Sequence, residues 1–193
     1  MNPTRNPSAL RSKKEITEAL LNLMKQYRFS DITVKQILYE SQVSRKTFYR
    51  NFSSKNDVLT SYIRQLIHEY ADRLSSFSKS SDNAQFSPDG ILKIIFEMCL
   101  DNREILLYLY DNELMYLLLQ QINSEIPTIH TQIVPENHYL FADISPQYIE
   151  YIIDFNVGAV WNIIYTWIRR GMTDDPQLMI SEINTFLNKL VSE

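Results

Sequence analysis

Apolar residues return every three or four positions along most of this chain, and that period limits what it can fold into. Ile16, Leu20, Leu23 and Tyr27 hold it near the start. Val58, Tyr62, Leu66, Tyr70, Leu74 and Phe77 hold it through a longer stretch. A strand would alternate at a period of two. Breakers are scarce as well: 193 residues include only 3 Gly and 7 Pro, too few for the many tight turns of an all-β chain. The expectation is an all-α protein of about nine helices, and a hydrophobic content of 45% is enough to give it a core.

Local start and stop signals divide the period into elements. Ser12 with Glu15, Thr33 with Gln36, and Ser54 with Asp57 each have capping-box spacing, and Ser44 is a fourth N-cap. They predict a first helix from residue 12, a short second helix with Val34, Ile37 and Leu38 inward, a short third, and a long fourth over about 55–77. The polar stretch "SFSKSSDNAQFSPDG" ends the fourth helix, and Ser87-Pro88-Asp89 opens the next. Helices over about 88–100, 102–110 and 113–125 follow, with a break at Asp111-Asn112. "IPTIHTQIVPENHYLFADISP" has no clean period and reads as a loop with at most a turn of helix. A long helix over about 146–170 closes on Arg169-Arg170-Gly171, and Asp175-Pro176 starts the last one. The division expected is residues 1–60 and 61–193, with the fourth helix linking the two.

Charge separates these parts. The formal net charge is −4, yet residues 1–55 hold eleven Lys/Arg and four Asp/Glu, a local +7 that leaves −11 on the remainder. A basic head on an acidic body points to a polyanion at one end only. The head also has helix-turn-helix proportions: two short capped helices separated by "SQVS". In that motif the second helix enters the major groove of double-stranded DNA, N-terminus first. Arg45 and Lys46 would then donate to guanine edges, and Thr47 would offer its hydroxyl or methyl. Thr33, Lys35, Gln42, Ser44, Tyr49, Arg50 and Lys55 flank that helix as DNA-contacting candidates, with phosphate contacts expected from Thr33, Tyr49, Arg50 and Lys55. Phe48 and Phe52 fall on the opposite face, toward a core. The plain alternative is a solvated basic face. Two capped helices inside a +7 segment favour DNA.

"FSDITVKQILYESQVSRKTFYRNFSSKNDVL" resembles the DNA-binding segment of the TetR family of transcriptional regulators. The residues that carry the resemblance are Ile32, Thr33, Val34, Ile37, Val43, Ser44, Thr47, Phe48, Tyr49, Phe52, Lys55 and Leu59, and it covers roughly residues 12–65. One departure stands out. Where the family often has Ala-Gly, this chain has Ser41-Gln42, so either Gln42 takes a positive φ or the turn differs. The resemblance implies a helical effector-binding and dimerisation domain after the head, with the last two long helices pairing across a homodimer. "WIRRGMTDDPQLM" resembles the junction between those helices in part of the family. Independently, the apolar residues Tyr148, Tyr151, Ile152, Phe155, Ala159, Trp161, Ile164, Tyr165 and Ile168 cover more than one helix face, more than a monomer needs. Two heads in a dimer imply a palindromic operator.

A small apolar or aromatic effector is expected in the second part, with Met98, Cys99, Tyr108, Tyr110, Met115, Tyr116, Phe155 and Trp161 as candidate lining. For each of these, ordinary core packing is the competing reading. Cys99 has no neighbouring base and reads as an inert thiol in a reducing cytoplasm. His68, His130 and His138 lack ligand spacing, so neither a metal nor a cofactor is expected. No apolar run is long enough to span a membrane, and the polar, basic start does not read as a signal peptide. No catalytic motif or paired titratable groups suggest an enzyme. The reading is a ligand-responsive repressor. Its rival is a DNA-tethered interaction module or activator whose C-terminal domain binds a protein.

Overall fold

A computed structural model describes residues 7–80, 88–133 and 144–191. Every regular element among them is helical. The helices are α1 (Pro7–Met24), α2 (Val34–Ser41), α3 (Arg45–Asn51), α4 (Lys55–Ser80), α5 (Pro88–Asp101), α6 (Arg103–Asp111), α7 (Met115–Ile133), α8 (Ile149–Arg169) and α9 (Pro176–Val191). Short 3-10 turns occupy Phe29–Asp31 and Pro146–Tyr148. The chain forms two compact units, residues 1–65 and 66–193, and α4 contributes residues to both.

In the first unit α1 packs on α2 and α3. Ile16, Leu20, Ile37, Phe48, Val58, Leu59 and Ile63 are buried there, one stripe from each of the four helices. Thr33 caps α2 as its spacing predicts: its Oγ1 accepts from the Gln36 N–H at 3.3 Å, while Gln36 Oε1 accepts from the Thr33 N–H at 2.8 Å. Ser54 Oγ accepts from the Asp57 N–H at 3.2 Å and starts α4. The expected start at Ser12 is corrected. The α1 helix runs from Pro7, Ser12 Oγ donates to the Ser8 carbonyl one turn back, and Glu15 pairs with Arg11 at 2.8 Å. A serine bonded to its own helix does not cap it.

In the second unit α5 packs on α9, and α8 packs on both α6 and α7. Phe96 and Trp167 meet edge to face at 5.1 Å, both buried, and Trp167 Nε1 donates to the Asp174 carbonyl at 3.0 Å. Asn112 ends α6, and Glu113 follows in a left-handed conformation (φ 59°), the predicted break. Gly171 (φ 77°) and Met172 (φ 55°) end α8, and the Met172 N–H returns to the Trp167 carbonyl at 2.9 Å. Ser87, the expected cap of α5, lies outside the described residues.

One element is longer than its pattern suggests. The α7 helix continues through Pro127 to Ile133, where a loop was expected after residue 125. Buried Ile126 and the bond between His130 and Tyr70 of α4 hold the extra turns in place. Tertiary contacts there outweigh the backbone hydrogen bond that proline cannot donate.

Candidate DNA interface and ligand cavity

Gln42 sets the geometry of the first site. It takes the left-handed conformation, φ 54° and ψ 21°, and its Nε2 donates to the Tyr39 carbonyl at 2.6 Å. Val43 then leads to Ser44, whose Oγ accepts from the Thr47 N–H at 3.2 Å and starts α3. Phe48 is fully buried and Phe52 nearly so, their rings 6.2 Å apart, which turns the other side of α3 outward. Arg45, Lys46, Tyr49 and Arg50 are exposed on that side, and the Arg45 guanidinium lies 5.6 Å from the Tyr49 ring centre. No carboxylate among the described residues pairs with Arg45, Lys46 or Arg50. Three exposed cations on one short helix make a surface suited to phosphate and base edges.

Thr33, Lys35, Gln42 and Ser44 are exposed on α2 and the turn, and Thr47 is half-buried with its Oγ1 accepting from Ser44 Oγ at 3.0 Å. Lys55 differs from the other candidates. Its ammonium donates to the carbonyls of Phe29, Ser30 (3.0 Å) and Ile32 (2.6 Å) and sits 4.7 Å from the Phe29 ring centre. Burial pulls its pKa down, and nearby Asp31 partly offsets this. All three of its donors are committed to the main chain. Tyr39, 80% exposed, was missed by the sequence reading. It shares a face with Lys35 at i, i+4 and lies off the inward stripe of α2, the signal that would have found it.

The second unit holds a cavity of about 840 Å³, partly open to solvent, between α4, α5, α6, α7, α8 and α9. Most of its wall is aliphatic, with isoleucines from five of these helices. Met98, Cys99, Phe155 and Trp161 line it; Tyr108, Tyr110, Met115 and Tyr116 do not. Met115 is buried in packing, Tyr110 lies edge to face with Tyr165 at 5.8 Å, and Tyr116 is mostly exposed. Cys99 faces the cavity, and its apolar surroundings push the thiol up to about 12.

Two further lining residues come from segments 60 positions apart. Tyr70 Oη and His130 Nε2 are 2.7 Å apart, with their rings stacked. Burial raises the tyrosine pKa and lowers that of the histidine, so both are neutral near pH 7. No local pattern could have joined them. Among the described residues no cluster of His, Cys, Asp and Glu could hold a metal, and no helix is long and apolar enough to cross a membrane.

Residues 16–62 match the tetR family of bacterial regulatory proteins, and residues 87–189 match a transcriptional regulator C-terminal region of the same family. No curated protein gives a significant match. Two solved structures share the fold. One is the dihydroxyacetone kinase operon activator DhaS, 18% identical, covering 94% of this chain and 96% of its own, with a TM-score of 0.56. The other is the fatty acid degradation regulator FadR from Bacillus halodurans, 14% identical, covering 95% and 96%, with a TM-score of 0.62. With residues 16–62 and the longer stretch 87–189 both matched within one family of regulators, this chain belongs to the TetR family and is a transcriptional regulator, not an enzyme.

Proposed function

We propose that the protein is a homodimeric, ligand-responsive repressor that acts in the cytoplasm and reads a palindromic operator with α3. The observation that carries the reading is the outward face of α3, where Arg45, Lys46 and Arg50 stand exposed without a neutralising carboxylate among the described residues. Arg45 and Lys46 read base edges; Arg50, Tyr49, Thr33 and Lys35 hold phosphates. Lys55 is left out of that set because its ammonium already serves three carbonyls.

Exposed apolar surface supports the dimer. Tyr151 is 71% exposed, Phe155 73% and Phe186 60%, and Leu178 and Leu187 of α9 add to the same unpartnered area. Phe155 of α8 and Phe186 of α9 also line the same cavity. Nothing stands within 4 Å of a side chain built at Gly158, which leaves room for another helix. Pairing α8 and α9 with their copies would bury this surface and hold two heads about 34 Å apart, one DNA turn.

Selection of bound sequences from a random DNA pool tests the reading. A palindromic consensus is expected, and a consensus of one half-site alone would sink the dimeric reader. Arg45→Ala or Lys46→Ala should then relax preference at one base position by about 1–3 kcal/mol. Equal losses on operator and random DNA would reassign them to phosphates.

A second reading, an activator whose body binds a protein, draws on DhaS being an operon activator and on Tyr116 of α7, which is 56% exposed. Operator-driven transcription that rises when the protein is supplied would favour it.

A further inference from the structure

The chemistry of the cavity wall selects among effectors, an inference that rests on the ligand-responsive reading above. Any ligand must enter a space with almost no charge. The second unit has seven Lys and Arg: Arg73, Lys79, Lys93, Arg103, Arg169, Arg170 and Lys189. None of them lines the cavity. Arg73 is held by Glu69 and Asp101, Arg170 by Asp174, Lys93 by Glu97, and Arg103 by the Gly171 carbonyl. Lys79, Arg169 and Lys189 are exposed. The stretches of this unit outside the described residues, 81–87, 134–143 and 192–193, contain no Lys or Arg. Among the described residues, the one charged side chain on the wall is Glu182, an acid. An anionic head group would therefore be desolvated without a cation to receive it, a penalty that aliphatic contacts do not recover.

The other polar groups on the wall are neutral and few. Asn102 Nδ2 is bonded to the Met98 carbonyl and Asn156 Nδ2 to the Ile152 carbonyl, each four residues back along the chain. The Tyr70–His130 pair is different. It joins α4 to α7, and one hydrogen between its two atoms leaves capacity at both ends. If Tyr70 donates, its oxygen can still accept and His130 Nδ1–H can donate. If His130 Nε2–H donates, the tyrosine hydroxyl is free to donate and Nδ1 to accept. Either arrangement suits a hydroxyl or a carbonyl, and neither supplies a charge.

We propose that the cavity binds an uncharged, largely aliphatic molecule bearing one hydroxyl or carbonyl group, which hydrogen-bonds to the Tyr70–His130 pair. The volume of about 840 Å³ lies within the roughly 300–1,000 Å³ of ordinary ligand sites. Because Tyr70 belongs to α4, the hydrogen bond engages the helix whose first turns belong to the head unit. A carboxylate of equal chain length is discriminated against.

The test titrates the full chain at pH 7.5 with decan-1-ol, methyl decanoate and decanoate, following tryptophan fluorescence, to which Trp161 at the wall and buried Trp167 both contribute. Decan-1-ol and the methyl ester are expected to bind at least tenfold more tightly than decanoate. Tyr70→Phe, which keeps the ring, should weaken decan-1-ol about tenfold. Decanoate binding as tightly as the alcohol would overturn the neutral-ligand assignment, as would failure of all three to bind. An undiminished alcohol affinity in folded Tyr70→Phe would overturn the anchor. Operator release is scored separately: decan-1-ol that binds without loosening DNA leaves the ligand class standing and sinks the ligand-responsive reading instead.

Discussion

Gln42 holds a backbone conformation that costs an L-residue about 1–2 kcal/mol, and its own side chain recovers part of that by bonding the Tyr39 carbonyl. Glycine would remove the strain and lose the bond. Gln42→Gly should therefore leave stability unchanged or raise it by up to about 1 kcal/mol in chemical denaturation. Gln42→Val, branched at Cβ, should cost more than about 1 kcal/mol. If both variants unfold alike, the turn is not strained. Lys55 poses a different residue-scale question, because a lysine near a DNA-binding helix invites an electrostatic role. Its bonds to three carbonyls instead predict that Lys55→Met lowers stability by about 1–2 kcal/mol while the salt slope of DNA binding stays put. A shallower slope with native stability would return Lys55 to the phosphate contacts. Cys99, whose thiol is pushed up to about 12, should react with iodoacetamide at pH 8 far more slowly than a free peptide cysteine.

Elements whose ends are set locally were readable from the sequence, and those set at a distance were not. Thr33 with Gln36, Ser44 before α3, and Ser54 with Asp57 are bonds across three residues, so spacing alone reveals them. Ser44→Ala should accordingly cost about 1 kcal/mol, seen as a lower melting temperature. Ser12 and Glu15 have the same spacing, but the helix had already begun at Pro7, beyond what capping residues alone can tell. The far end of α7 depends on His130 meeting Tyr70 from 60 positions away, and no window of sequence contains that contact. Pro127→Ala, which restores one helical hydrogen bond, should raise stability by about 1–2 kcal/mol. The same distinction separates the two sites. The α3 face follows from one short motif, whereas the cavity is assembled from six helices, and only the apolar character of its wall could be read in advance.

For the whole molecule, the concentration of base in residues 1–55 predicts DNA affinity that falls steeply with salt. A flat response would contradict phosphate neutralisation. Acid should weaken the fold as well. Burial holds His130 below its ordinary value of 6.5, so the folded chain resists a proton that the unfolded chain accepts. Its contribution is complete above 6.5 and is lost progressively as pH falls below that value and through the lower folded one. Melting temperatures of His130→Gln between pH 7 and 5.5 should decline less than those of the parent chain. Phe155→Glu, which puts a charge into the exposed strip, should give a monomer by light scattering. That strip has one more consequence. Phe155, Phe186 and Leu187 face both the solvent and the cavity, so the partner that covers them would also close the ligand's way in and out. Effector affinity would then depend on how much of the protein a cell makes. At low copy number, dissociated subunits would hold the ligand loosely, and bound ligand would drive them together. Gene dosage would set the sensor's threshold.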